Sequence, residues 1–325
     1  MNFRKISAKK ILTSIILAGF VLSFVAFILR NRVLYPLKGY VSDDDKEHKG
    51  YYQTLLNSYD PEPSWKPASK FDLKDEPVIA GSSAILVDLG SDGILFDKGS
   101  NEKRKIASIT KIMTAVVALE HKSLSDEIPV SKKAASIGEN SMGISEGEAY
   151  TLEELLYGLM SSSGNDAAYA IAEGVAGSSE EFVAWMEIKS KELGLRDTYF
   201  ADPSGLDDST YSTPLDLVKL ARYAMKNPKF REIVKTKNKE LISETHKYLY
   251  LENQLNLLST YPGVAGVKAG YTEDAGLCLV TYATNDKKEV LGAVLNSIDR
   301  KGDMILMLDY GFSKLGVKVE HHLLD

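Results

Sequence analysis

Apolar positions are spread unevenly along this chain. A predominantly apolar run without charges covers residues 11–29, a long stretch without sustained period follows, and regular patterning returns only near residue 80. Residues 84–87 and 93–96 are short aliphatic runs around an Asp/Gly-rich turn and predict a hairpin. Residues 112–119 place Met113, Val116 and Val117 among the apolar positions of a buried helix, and Leu152, Leu155, Leu156 and Leu159 recur at helical spacing. Further helices are predicted over 166–175, 179–193 and 214–225. The period then shortens to strands at 247–251, 264–268, 277–284 and 290–295, with a last helix near 304–315. Strands at both ends with helices between predict an α+β fold whose sheet joins the two ends of the chain.

The first apolar run has a different meaning. At about 1.5 Å per residue it reaches roughly 28 Å, close to the ~30 Å core of a bilayer. Arg4, Lys5, Lys9 and Lys10 precede it, while Arg30 and Arg32 follow. No small-x-small cleavage site lies near residues 27–33, and no cysteine there could carry a lipid. The expectation is an uncleaved transmembrane signal-anchor over 11–29, with residues 1–10 a cytoplasmic basic segment and the remaining chain on the extracytoplasmic side of the cell membrane. Asp43-Asp44-Asp45 and the prolines at 61, 63, 67 and 77 make 30–79 an extracytoplasmic stalk. Residues 80–325 suit one catalytic domain.

A net charge of −6 without a basic stripe argues against nucleic acid as a partner. Cys278 is the single cysteine, which excludes an internal disulfide and a Cys-rich metal site. None of the five histidines has the context of a Ser-His-Asp nucleophile. His48 falls in the spacer, His321 and His322 near the terminus, and His121 and His246 read as lone surface side chains. Asp202, Asp207 and Asp208 read as a turn rich in Pro, Gly and Asp.

Three short patterns carry candidate chemistry. Ser108-Ile109-Thr110-Lys111 stands at a helix start, where a serine and a lysine three apart share a face. A serine hydroxyl needs a base to become a nucleophile, and burial against an apolar helix pushes a lysine towards the neutral form. The spacing alone is weak, because Ser7/Lys10 and Ser100/Lys103 share it. Ser163-Gly164-Asn165 lies between two apolar helices, either as a helix cap or as a loop presenting a hydroxyl and an amide. Lys268-Ala269-Gly270 follows a short strand, and a solvated lysine at a strand end explains it equally well taken alone.

Their order and surroundings decide between these readings. Ala107-Ser108-Ile109-Thr110-Lys111-Ile112-Met113-Thr114-Ala115, Ser163-Gly164-Asn165-Asp166-Ala167-Ala168 and Gly266-Val267-Lys268-Ala269-Gly270-Tyr271-Thr272 resemble the motif set of low-molecular-mass D-alanyl-D-alanine carboxypeptidases, within the β-lactamase/DD-peptidase superfamily. Asp202-Pro203-Ser204-Gly205-Leu206 and Tyr211-Ser212-Thr213 extend the resemblance over residues 80–315. It implies a β-lactamase/DD-peptidase-like fold, with an antiparallel sheet from both chain ends and a helical cluster between. It implies a penicillin-binding peptidase acting on peptidoglycan stem peptides that end in D-Ala-D-Ala, with β-lactams as covalent inhibitors and no cofactor or metal. Ser108 would form the acyl-enzyme and Lys111 take its proton. Ser163 and Lys268 would relay protons and face the substrate carboxylate. Asn165 would hold the substrate amide and orient Lys111. Gly270 and Tyr271 belong to the substrate-binding strand, with the N–H groups of Ser108 and Tyr271 as the oxyanion hole.

One position departs from the family pattern. Threonine or serine usually follows the strand lysine, and its hydroxyl holds the substrate carboxylate; Ala269 has none. Two alternatives therefore accompany the carboxypeptidase reading: a catalytically weak, wall-binding regulatory protein, and a β-lactamase. For the second, one Glu-x-x-x-Asn lies between Asn165 and Lys268, from Glu252 to Asn256, just after the strand predicted over 247–251 rather than beside the other motifs.

Overall fold

Aliphatic runs from both ends of the described chain meet in one five-stranded antiparallel sheet. The computed structural model describes residues 65–323. The expected segments 1–10 and 11–29, and the spacer as far as residue 64, lie outside the described residues. Among the described residues no helix is long and apolar enough to cross a membrane. The strands are β1 (Ser83–Asp88), β2 (Gly93–Lys98), β3 (Val264–Thr272), β4 (Gly276–Asn285) and β5 (Lys288–Ser297). Their order is β2-β1-β5-β4-β3, so the chain ends join where Ile85 pairs with Ala293. The sheet therefore closes the fold as the α+β pattern implies.

Among the described residues, seven helices of eight residues or more flank the sheet: α1 (Lys111–His121), α2 (Leu152–Met160), α3 (Asn165–Ala176), α4 (Ser179–Glu192), α5 (Pro214–Ala224), α6 (Pro228–Lys235) and α7 (Arg300–Lys314). Every residue of β1 is buried, because both sheet faces are covered. Ile85, on one face, belongs to the cluster with Ile112, Leu155, Leu217 and Val280. Leu86, on the other, belongs to the cluster with Leu279, Val294, Met304 and Leu308 beneath α7. Helix starts follow local chemistry: Thr151 and Glu154 form a capping box before α2, Ser178 caps α4, and Thr213 caps α5 with Pro214 at its first position.

Four expectations change. The strand predicted over 264–268 continues to Thr272, which puts Lys268-Ala269-Gly270 inside β3 rather than after it. The strand near 247–251 is absent from the central sheet. Leu249–Glu252 pairs instead with Asn238–Leu241 as a separate hairpin that buries Leu241 and Leu251. A period of two reveals a half-buried strand but not which partner it takes. His246, at that hairpin, is buried rather than at the surface: its ring stacks on Tyr150 at 4.1 Å and its Nε2 lies 3.3 Å from Glu154 Oε1. Finally, α7 begins at Arg300, because the Asp299 side chain accepts from Gly302 N–H and starts the helix there.

Residues 65–79 run along the free side of β2, where Phe71 N–H donates to Ile94 O at 3.0 Å and the Arg222 guanidinium covers the Trp65 ring at 4.4 Å. They shield one edge of the sheet. At the other end of β1, the buried Asp303 carboxylate accepts from Ala80 N–H and Gly81 N–H, both at 2.7 Å, and from Ser297 Oγ at 2.6 Å. It ties the entry to β1, the exit of β5 and the first turn of α7 together. Replacing Asp303 with alanine leaves two backbone donors unpaired, so the unfolding free energy should fall by about 3 kcal/mol, read as a lower urea midpoint.

Candidate active site

The nucleophile's turn is built from both sides. Residues Ala107–Thr110 form one 3-10 turn, and Lys111 begins α1, so Ser108 stands just before the α-helix rather than within it. Ala107 has φ +48°, and its carbonyl accepts from Thr110 Oγ1 at 2.8 Å. Gly205 (φ +77°) packs so closely beneath this turn that a Cβ there would lie 1.9 Å from Ala107 O. Only glycine fits both the conformation and the space.

Lys111 is wholly buried, and its amine reaches three oxygens. Nζ lies 2.8 Å from Ser108 Oγ, 2.7 Å from Asn165 Oδ1 and 2.8 Å from Ser204 O. Two of these are amide oxygens that can only accept. A neutral amine has two hydrogens and one lone pair, so its hydrogens go to Asn165 and Ser204 and its lone pair faces the Ser108 hydroxyl. Burial brings the Lys111 pKa down to about 7, against the opposing pull of the Asp202, Asp166 and Glu139 carboxylates. The amine is thus a base at neutral pH, already on the proton it would take.

The partners of Lys111 are held by two carboxylates committed to backbone N–H groups. Asp202 accepts from Ser204 N–H, Gly205 N–H at 2.8 Å and Asp207 N–H at 2.6 Å, folding the turn that presents Ser204 O. Thr114 Oγ1, one turn after Lys111, donates to Pro203 O and fixes the same turn to α1. Asp166 accepts from Met142 N–H and Gly143 N–H at 2.8 Å and from Ile144 N–H at 3.1 Å. This fastens loop 138–144 against the start of α3, where Asn165 donates from Nδ2 to Gly138 O at 3.0 Å and from its backbone N–H to Asn140 O at 2.8 Å. Ser163 has φ +58°, and its buried Oγ has no hydrogen-bond partner among the described residues. Left-handed residues at 107 and 163 therefore stand close in sequence to Ser108 and Asn165, the partners of the Lys111 amine, and such backbone persists where surrounding contacts enforce it.

The other wall of the site is β3, an edge strand of the sheet. Its closest approach is at Gly270, where a Cβ would lie 3.0 Å from Ser108 N and 2.9 Å from Ile106 O. The glycine lets a strand edge lie against the nucleophile's turn. Lys268 is buried, donates from Nζ to Ala269 O at 3.0 Å, and is held well below its ordinary pKa by burial and then by the Lys111 and Arg300 charges. Tyr271 is 58% exposed beyond it. The Ala269 methyl belongs to the apolar cluster beneath α7 and brings no hydrogen bond to the site. Arg300 Nη1 donates to Gly270 O at 2.6 Å, bracing β3 from the first turn of α7.

Ser108, Lys111, Ser163, Asn165, Lys268 and Gly270 thus converge from three separated stretches of chain. Ser7 lies outside the described residues, and Lys103 pairs with Asp197 at 3.1 Å rather than with Ser100. Three contributors escaped the motif reading: the Ser204 carbonyl, Arg300 and Asp166. A backbone carbonyl leaves no residue-type signal, Arg300 is one arginine among many basic residues, and Asp166 stands within the second motif's stretch without a role of its own. The Pro-Gly-Asp turn at 202–207 was the one available pointer.

A hydroxyl addressed by a neutral lysine, beside a strand edge with free backbone groups, is the machinery of a serine acyltransferase that uses lysine where others use histidine. Known proteins carry the description further. The family model described as D-alanyl-D-alanine carboxypeptidase, peptidase S11, matches residues 71–299. The D-alanyl-D-alanine carboxypeptidase DacF of Bacillus subtilis is 36% identical over 241 residues, 71% of this chain and 62% of that protein. The D-alanyl-D-alanine carboxypeptidase of Streptomyces sp. strain K15 is 34% identical over 259 residues, 73% of this chain and 89% of that one. The crystal structure of the Streptomyces K15 DD-transpeptidase superposes with a TM-score of 0.70 at 34% identity, covering 74% of this chain and 99% of that one. The chain belongs to the D-alanyl-D-alanine carboxypeptidase family of serine peptidases and has its DD-peptidase fold.

Two outcomes follow from the geometry. Acylation by a β-lactam should require neutral Lys111: the rate should be flat above a pKa near 7 and fall about tenfold per pH unit below it, read by stopped-flow fluorescence. Gly270→Ala should push β3 away from Ser108 and slow acylation on the order of 100-fold, while thermal unfolding still shows a folded domain.

Proposed function

We propose that this protein is a membrane-anchored D-Ala-D-Ala carboxypeptidase that trims the terminal D-alanine from peptidoglycan stem peptides and is acylated by β-lactams. The observation that carries the reading is the buried Lys111 amine, 2.8 Å from Ser108 Oγ and brought to a pKa of about 7. Ser108 Oγ attacks the carbonyl of the penultimate D-alanine and Lys111 takes its proton. The tetrahedral oxyanion is met by backbone N–H groups, those of Ser108 and Tyr271. Its collapse breaks the peptide bond, and the leaving D-alanine amine receives the proton from Lys111 or through Ser163. Water then attacks the Ser108 ester, giving a proton to Lys111, and the shortened peptide leaves with Ser108 restored. Lys268 and Asn165 position the substrate along the edge of β3, which offers backbone groups to an extended peptide. The apolar run 11–29, flanked by basic residues, supports a single-pass anchor with residues 30–79 as stalk and the catalytic domain outside the membrane.

Ala269 supports a second reading, a peptidoglycan-binding regulatory protein of weak turnover. A hydroxyl hydrogen-bonded to a carboxylate contributes about 1.5–3 kcal/mol, so its absence corresponds to tens- to hundredfold in turnover. With the full chain, a fluorescent penicillin should label Ser108, D-alanine should be released from a D-Ala-D-Ala-ended peptide, and both should vanish in Ser108→Ala. Ala269→Thr should raise kcat/KM on that peptide about tenfold or more. Labelling without release, unchanged by A269T, favours the regulatory reading, and rapid penicillin turnover favours a β-lactamase.

A further inference from the structure

Three carboxylates act on the Lys111 amine, those of Asp202, Asp166 and Glu139, and they differ in what else they do. Asp202 and Asp166 are buried and each accepts several backbone N–H groups. Glu139 is exposed, and its side chain takes part in no hydrogen bond or ion pair among the described residues. Its backbone is nonetheless fixed. The carbonyls on either side, Gly138 O and Asn140 O, both accept from Asn165, and the loop continues into the segment that Asp166 fastens. Glu139 itself has φ +62°, a conformation that favours glycine or asparagine. The backbone that carries this exposed carboxylate is thus held beside the site by Asn165, which also holds Lys111.

Neither lysine of the site is its partner. The Lys111 amine is occupied by Ser108, Asn165 and Ser204, and Lys268 donates to Ala269 O. Exposed to solvent, this carboxylate is hydrated as it stands, and among substrate groups that could replace that water a cationic donor gains most. A substrate carboxylate would be repelled, which turns the C-terminal end of a peptide away from Glu139 and brings its acyl half towards it.

We propose that Glu139 is a specificity-determining residue, whose carboxylate pairs with a cationic side chain, a primary amine, on the acyl half of the peptide substrate. This rests on the carboxypeptidase reading. The test compares two peptides with the full chain: an acyl-L-lysyl-D-Ala-D-Ala with a free side-chain amine, and the same peptide acetylated on that amine. The wild type should favour the free amine by about fivefold in kcat/KM at low salt, chiefly through KM, and the preference should shrink as salt screens the pair. Glu139→Gln should remove the preference, and Glu139→Lys should reverse it. Any change that these substitutions make to Lys111 basicity acts equally on both peptides and cancels in the ratio. D-alanine release from both peptides at equal rates, or a preference that survives in E139Q, overturns the assignment of Glu139. No release from either peptide by the wild type overturns the carboxypeptidase reading itself.

Discussion

Everything at the active site depends on keeping one amine dry. A lysine removed from water without partners is costly, and the cost falls as the amine gives up its proton and its remaining hydrogens find acceptors. Asn165 Oδ1 and Ser204 O are those acceptors, at 2.7 Å and 2.8 Å from Lys111 Nζ. Because both are oxygens without hydrogens, the lone pair is directed to Ser108 by elimination. The same three contacts that make burial tolerable therefore choose the direction of proton transfer. The partners come from α3 and from the 202–207 turn, so assembling the base means assembling the domain.

The sheet supplies the complementary constraint. Pairing of β1 with β5 brings the chain ends together, and the order β2-β1-β5-β4-β3 leaves β3 at an edge. An uncovered edge is ordinarily a hazard for association. Here the opposite edge is shielded by residues 65–79, whereas β3 faces the nucleophile's turn, separated from it by a glycine. Arg300, carried by the helix that packs under the same sheet, holds the Gly270 carbonyl at 2.6 Å and keeps the strand in place. Core packing and site geometry are linked through that one helix, whose first turn is also tied to the start of β1 by Asp303.

The electrostatics follow from this architecture. Burial lowers both Lys111 and Lys268, and the Lys111 and Arg300 charges lower Lys268 further. The carboxylates that oppose this are spent on backbone N–H groups, apart from Glu139 at the rim. The Ala269 methyl lies in the apolar cluster beneath α7 and brings no hydroxyl to β3, while Glu139 keeps an exposed carboxylate on loop 138–144.

The sequence by itself determined the element types, the joining of strands from both chain ends, and the identity of the residues able to react. Period, capping residues and turn residues are local, and a serine three residues before a lysine at a helix start is a local relation too. Motif order in the sequence already singles out Ser108 and Lys111 among three Ser-x-x-Lys spacings, but only the tertiary structure shows what makes Lys111 a base, since its burial depends on α3 and the 202–207 turn. It also decided that residues 249–252 leave the central sheet and that Lys268 sits within an edge strand. The Ser204 carbonyl was invisible for the same reason. Its contribution comes from where a backbone oxygen is placed by distant contacts, and no side chain announces that.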